Sequence, residues 1–480
     1  TASLGPARRV ARGARAGPRH MTYYPEEHSK RELQVDASSR ELLDDDDFED
    51  DASAIFDCEP SAVPAEALAQ AFGRGGSWRI SGELPPGNFW IRQTEAPFHT
   101  REFQVSPAHL RKRGAQAMLE KCGVAVINTK GCKGGSSAFA AGQDNFCVAR
   151  LPNGWEVFGV FDGHGHGGHW PSERAARTVP FFLQGRHCSE LFAAGDAEGA
   201  LHYAVLAAEE DLEAQAKKAG IDIRGCGSTA VVALRRFDAD HVYVATVGDS
   251  RAALLRVPSG DVLAETSDHK PSRQDEADRI EKSGGTVCSS KHSDGSDCRI
   301  YHRGCDYPGI AVSRSLGDCG VKSIGVSAEP EIVRWPMKGN ESAYLLLCSD
   351  GVWEFLSTAQ VSLLVASALK RGETPLAALQ ELLEVARAQW KCRIIGGVYC
   401  DDISMVLVPL GAPQAPRWDS LAVLPSHNPA IALVNKFCLQ PCGFQPFGSN
   451  NSSPCEREHE APDSDSDASS LASELSGSPS

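Results

Sequence analysis

HVYVATVGDSRAALLRV, residues 241–257, places two strand-like runs on either side of Gly248-Asp249-Ser250. Val, Tyr and Leu suit a pleated, half-buried surface, and Gly-Asp-Ser is turn chemistry, so the stretch is expected to form a hairpin. Its first run also ends on a carboxylate. The same design recurs along the chain. WEVFGVFDG (155–163) carries Asp162 at its end, AYLLLCSDG (343–351) carries Asp350, and Asp401-Asp402 precede ISMVLVPL (403–410). TAVVAL (229–234) is another strand of this composition.

Helices punctuate these strands. Residues 199–218 have helical period, 274–285 form a shorter helix, and a helix is expected near Ser172–Thr178. Ser357 and Gln360 have capping-box spacing ahead of an apolar segment that stops at Gly372. Thr374 is the expected N-cap of the next helix, with Pro375 at its first position.

The bulk composition excludes several classes. The chain has 480 residues, 41% of them hydrophobic, which supports a sizeable core. A net charge of −15 argues against nucleic-acid binding through a broad basic face. No apolar stretch reaches the roughly 18 residues of a membrane span. The 16 cysteines are scattered singly with no CxxC pair, which fits neither a zinc ribbon nor a disulfide scaffold. Free thiols suit a reducing compartment, so a cytoplasmic or nuclear protein is expected, with no reliable targeting signal.

Composition divides the chain into four regions. Residues 1–60 are expected to be disordered, basic at first and then acidic through DDDDFEDD (44–51). Residues 61–117 form an N-terminal extension with short apolar patches and no assignment. Residues 118–410 carry the strand and helix signals. Residues 411–480 read as a Pro-rich linker and an acidic, Ser-rich disordered tail.

A carboxylate at the end of an apolar strand costs desolvation unless it is paired or binds a cation. Four such sites with no matching set of Lys or Arg point to a hard divalent cation, Mg2+ or Mn2+. In DGHGHGGH (162–169) a zinc reading of His166 and His169 lacks further ligands, so both are expected in a loop.

VFDGHG, GSTAVVAL, VATVGDSRAAL, DHKPSRQDEADRI, AVSRSLGD, LLLCSDGVWEFLS and DDISMVLV occur in that order. Together they resemble the metal-dependent serine/threonine protein phosphatases of type 2C, over about residues 121–410. The resemblance implies an α+β fold, a four-layer α-β-β-α sandwich of two mainly antiparallel sheets flanked by helices. It implies hydrolysis of phosphoserine and phosphothreonine in proteins at a two-metal Mg2+ or Mn2+ site, with a position for a third ion. Asp162 then matches the carboxylate shared by both metals and Gly163 the backbone-carbonyl ligand. Asp350 and Asp401 match the other direct ligands, and Asp249 the third-metal position. His164 matches the general acid.

The departures are local. Gln143-Asp144 stands where many members carry Glu-Asp, leaving Asp144 as the acid at the metal site. Lys130 or Lys133 replaces the phosphate-binding Arg, and a lysine offers a point charge where Arg offers a fork. Glu354 stands where some members carry Asp. Residues 284–312 match the flap beside the cleft, where Arg299 or Arg303 is a further phosphate contact. The implied partners are phosphoprotein substrates, with no nucleic acid and no membrane span, and the protein is expected to be a monomer. The rival class is a non-catalytic phosphatase-like binding or scaffold protein, and a third is a hydrolase of small phosphate esters.

Overall fold

In the computed structural model of the chain, the two runs around Gly248 part company. His241–Val247 pairs with Ala230–Arg235 and with Glu331–Pro336, whereas Arg251–Arg256 lies between Val262–Glu265 and Ala343–Cys348 in a second sheet. The expected hairpin is therefore a crossing from one sheet to the other. The turn itself is present, and Gly248 sits at φ +97° where side chains are disfavoured. Partner choice is set elsewhere: Val242 and Val244 meet Ala252 and Leu254 face to face in one buried cluster between the sheets.

The structure describes residues 62–82, 103–133, 142–289, 298–337, 339, 342–393 and 399–411. The disorder expected for 1–60, the linker and tail at 412–480, and flap residues 290–297 lie outside the described residues.

The larger sheet has seven strands in the order 331–336, 241–247, 230–235, 156–161, 145–150, 78–82 and 103–106. The smaller has five, in the order 262–265, 251–256, 343–348, 403–409 and 125–129. Every pairing in both is antiparallel. Side chains alternate across the pleat, so Phe158 and Val160 enter the core between the sheets while Val157 and Phe161 face outward. That outer face is covered by helices His169–Phe182 and Ala197–Ala219 through Ala175, Val179, Leu201 and Val205. Helices Thr358–Lys370 and Pro375–Arg393 cover the other sheet through Val361, Val365, Leu379 and Leu382. The result is the expected α+β, four-layer α-β-β-α sandwich. Coverage on both faces explains why runs such as AYLLLC lack polar alternation. No helix among the described residues is long and apolar enough to cross a membrane.

The caps are as the sequence indicates. Ser357 and Gln360 form a reciprocal capping box, and Thr374 Oγ1 accepts from Ala377 N at 3.1 Å. The helix expected at 199–218 starts at Ala197, because Asp196 accepts from Gly199 N at 2.7 Å.

The described parts of the unassigned stretch, residues 62–82 and 103–117, belong to the same fold. Trp78–Gly82 pairs with Asn145–Arg150, and Phe103–Ser106 adds the sheet's outermost strand. Val63 is tied down by Asp211, whose Oδ1 accepts from Val63 N at 2.5 Å, and by Arg174, which donates to the Val63 carbonyl at 2.7 Å. Arg79 masks the strand in the sequence. It is 2% exposed and lies over the Phe72 ring, against the rule that a charged residue marks the solvent face.

Antiparallel pairing brings alternate strand ends together, and this gathers the aspartates. Phe161 pairs with Asn145, Ala230 with Val247, Cys348 with Met405, and Ile403 with Thr129. The residues beyond those ends are Asp162, Asp144, Asp249, Asp350 and Asp401-Asp402. All reach one pole of the sandwich.

Candidate active site

At that pole a cleft of about 350 Å³ is lined by Asp162, Gly163, His164, Asp249, Asp350 and Asp401. Asp144 lies beneath them, 2% exposed. Ser349 Oγ donates to its Oδ2 at 2.6 Å, while its Oδ1 is buried with no hydrogen-bond partner among the described residues. Burial, then the charges of Asp402 and Asp401, push the Asp144 carboxyl up to about 7. Burial and four neighbouring aspartates (Asp144, Asp350, Asp401 and Asp249) hold Asp162 well above the usual carboxylate range. Asp350 is raised in the same way by burial, Asp249 and Asp401. Carboxylates so placed repel one another, and each gains from a shared cation.

The lysine partners correct one sequence expectation. Lys133 Nζ lies 2.7 Å from Asp401 Oδ1, and Lys270 Nζ donates to Asp249 Oδ2. Among the described residues no three His, Cys, Asp or Glu side chains stand in a ready-made ligand cluster, and two of the carboxylates contact these lysines. Lys270 lies 21 positions after its partner, too far for a local pattern to reveal. The donors still fit a hard cation: they are all oxygen, and among the described residues one buried carboxylate oxygen has no partner.

The two acids of DDIS divide their work. Asp401 lines the cleft, also accepting from Tyr399 Oη at 3.1 Å. Asp402 is a buried clasp whose two oxygens accept from Gly131 N and Gln143 N, each at 2.6 Å. It thereby holds the backbone two residues before Lys133 and that of Gln143, the residue before Asp144.

Gly163 is required by space. A Cβ there would lie 2.1 Å from the Gly168 carbonyl oxygen and 2.6 Å from that of Gln143. Gly163→Ala is expected to destabilise the fold by about 3 kcal/mol, the upper end for overpacking. Scanning calorimetry reads this as a fall in Tm, and an unchanged Tm would show that the Gly168 backbone yields.

His164 Nε2 lies 2.5 Å from Asp318 Oδ2. Burial alone would lower the imidazole pKa, but the Asp318 charge and hydrogen bond outweigh it, and the net shift is upward. Asp318 is itself 2% exposed, also accepts from Ser315 Oγ at 2.7 Å, and has its backbone at φ +49°. It is the last residue of AVSRSLGD, and nothing in that motif alone gives it a role. Only the antiparallel pairing of Leu316–Gly317 and Gly163–Gly165 with Cys226–Ser228 brings it to His164.

The remaining candidates separate. Lys133 lines the cleft, while Lys130 is half-buried against Gly142. Arg299 lines the cleft from the flap, which is a three-stranded sheet of 285–289, 298–302 and 308–310, and Arg303 is exposed at its turn. Arg224, not foreseen, also lines the cleft and is bound to Asp222 at 2.6 Å. His166 and Glu354 are exposed, and His169 opens a helix.

Residues 123–392, more than half of the chain, match the family model described as Protein phosphatase 2C. The chain belongs to the protein phosphatase 2C family. A human protein named Probable protein phosphatase 1N is 35% identical over 279 residues, covering 56% of this chain and 56% of that one. Probable protein phosphatase 2C 72 of Arabidopsis thaliana is 32% identical over 273 residues, covering 54% of this chain and 78% of that one. The chain thus spans little more than half the length of the human relative. Among solved structures, serine-threonine phosphatase 2C from Toxoplasma gondii is similar over 59% of this chain and 93% of that chain, with a TM-score of 0.47 and 23% identity. Asp401 and Asp402 stand beyond the segment matched to the phosphatase 2C family, yet Ile403–Pro409, immediately after them, pairs inside the smaller sheet.

Proposed function

We propose that this phosphatase 2C family member hydrolyses phosphoserine and phosphothreonine in proteins at the aspartate cleft. The observation that carries the reading is the gathering of five mutually repelling aspartates at one pole, with Asp144 Oδ1 buried and unpartnered among the described residues. Asp162, Asp350, Asp401 and the Gly163 carbonyl would hold Mg2+ or Mn2+, with Asp249 offering a further position and Asp144 beneath. When bound there, such ions supply a nucleophilic water at neutral pH and charge to offset that of the phosphoryl group.

The chain's own residues do the rest. Asp318 keeps the His164 ring protonated at Nε2 and favours the imidazolium, so Nδ1 is the atom left to release a proton to the departing seryl or threonyl oxygen. Lys133 and Arg299 add positive charge for the phosphate. Arg299 stands on the flap, and such loops set which flanking peptide is accepted. A monomeric protein of the cytoplasm or nucleus completes the reading.

The lysine contacts of Asp249 and Asp401 favour one alternative, a binding or scaffold protein whose acids are neutralised internally. Phosphate release from a phosphothreonine peptide decides between them. Turnover in Mn2+ or Mg2+ that falls to background in EDTA is expected. EDTA-resistant turnover, or none with either metal, contradicts the proposal. Faster release from nucleoside monophosphates than from phosphopeptides would reassign the substrate to small esters.

A further inference from the structure

The strands that end at the aspartate pole begin or end, at their other extremity, around a second concavity. Glu156 opens the strand that leads to Asp162, Arg150 closes the strand that starts after Asp144, and Pro409 closes the strand that starts after Asp402. Here a groove of about 940 Å³ shares no residue with the cleft. Its charged lining is Arg113, Lys121, Arg150, Arg235 and Glu156, with His109 beside them. Among the described residues Glu156 is the lone acid of the lining, and it is paired with Arg235 at 2.6 Å. Arg113, Lys121 and Arg150 are exposed and form no ion pair among the described residues. Apolar surface lies within the same groove, including Phe237, which is 48% exposed.

The chain leaves the described fold at this groove. Arg235 Nη1 donates to the Pro409 carbonyl, and the described residues end two positions later at Gly411. The C-terminal segment of the chain is complementary to the lining. Residues 455–480 hold seven Asp and Glu against one Arg and no Lys, concentrated in Asp463-Ser464-Asp465-Ser466-Asp467, with Leu471 and Leu475 soon after. We infer that this acidic segment docks in the basic groove at the pole opposite the cleft, its carboxylates on Arg113, Lys121 and Arg150 and its leucines against Phe237. The connection does not need strong contacts. A tethered segment faces its site at an effective concentration of order mM, so a weak, salt-sensitive interaction keeps it bound. Free acidic peptides have no such advantage.

Zero-length carbodiimide coupling on the full chain tests the docking, because Lys121 is the only lysine lining the groove among the described residues. Coupling of Lys121 to Asp463, Asp465 or Asp467 within one chain is expected, with mixed isotope-labelled protein separating links within and between chains. The yield should fall about fivefold or more between 0.05 and 0.5 M NaCl, as the Debye length shrinks. It should fall similarly in R113E/R150E, which leaves Lys121 in place and alters only exposed side chains. Should that variant lose folding, the salt series on the unaltered chain decides. Lys121 joined to the acidic run 44–51, joined only to a second chain, or joined to nothing would overturn the inference.

Discussion

Asp162→Asn is expected to lower phosphopeptide hydrolysis about a thousandfold, the scale of losing several kcal/mol of charge stabilisation by a bound cation. The substitution conserves volume, and the backbone is held independently by Asp162 N donating to Thr229 Oγ1 at 3.1 Å. The variant should therefore fold. It should also melt higher than the parent in EDTA, because a carboxylate repelled by Asp144, Asp350, Asp401 and Asp249 has been neutralised. Phosphate-release kinetics and a melting curve read the two effects. A variant that is inactive but melts lower in EDTA would mean that Asp162 holds the fold together and is not there for a cation.

His164→Gln is expected to slow phosphoserine-peptide hydrolysis by about 10²–10⁴-fold, the usual worth of a positioned general acid. The same change should cost far less with p-nitrophenyl phosphate, whose leaving group needs no proton. Asp318→Asn should act in the same direction but more weakly, since it works through the ring it orients. The sign of its pH effect comes from the contact. Asp318 raises the imidazole pKa, so the neutral amide lets the ring lose its proton at lower pH, and the alkaline limb of the phosphopeptide profile moves down. A loss of equal size on both substrates, with an unmoved pH profile, would make His164 a packing residue.

The parts of this site that depend on single strands are legible in the sequence. Asp162, Asp350 and Asp401 each stand where an apolar run meets a loop, and desolvation makes such a carboxylate conspicuous. Helix caps are equally legible, because Ser357–Gln360 and Thr374 act within a few residues. The rest needs distance in sequence to close. Asp318 meets His164 across 154 positions, and Asp402 meets Gly131 across 271. The turn at 248–250 is visible, but the sheet its second strand joins is decided by packing between the inner faces. Trp78–Gly82 is hidden by a buried arginine, where burial over an aromatic ring overrides the binary pattern. Lys270 is hidden for a related reason. A cation that satisfies Asp249 from a neighbouring loop leaves no local trace, so the acids look unpaired in the sequence when two of them are not.

Those two lysines make metal binding the point on which the function turns. Isothermal titration of the EDTA-stripped full chain with Mn2+, repeated on Asp162→Asn, measures it without reference to any substrate. At least two Mn2+ ions per chain, with the tight binding lost in Asp162→Asn, is the expected result. No saturable Mn2+ binding, or binding that Asp162→Asn leaves unchanged, would contradict a metal centre built from these aspartates.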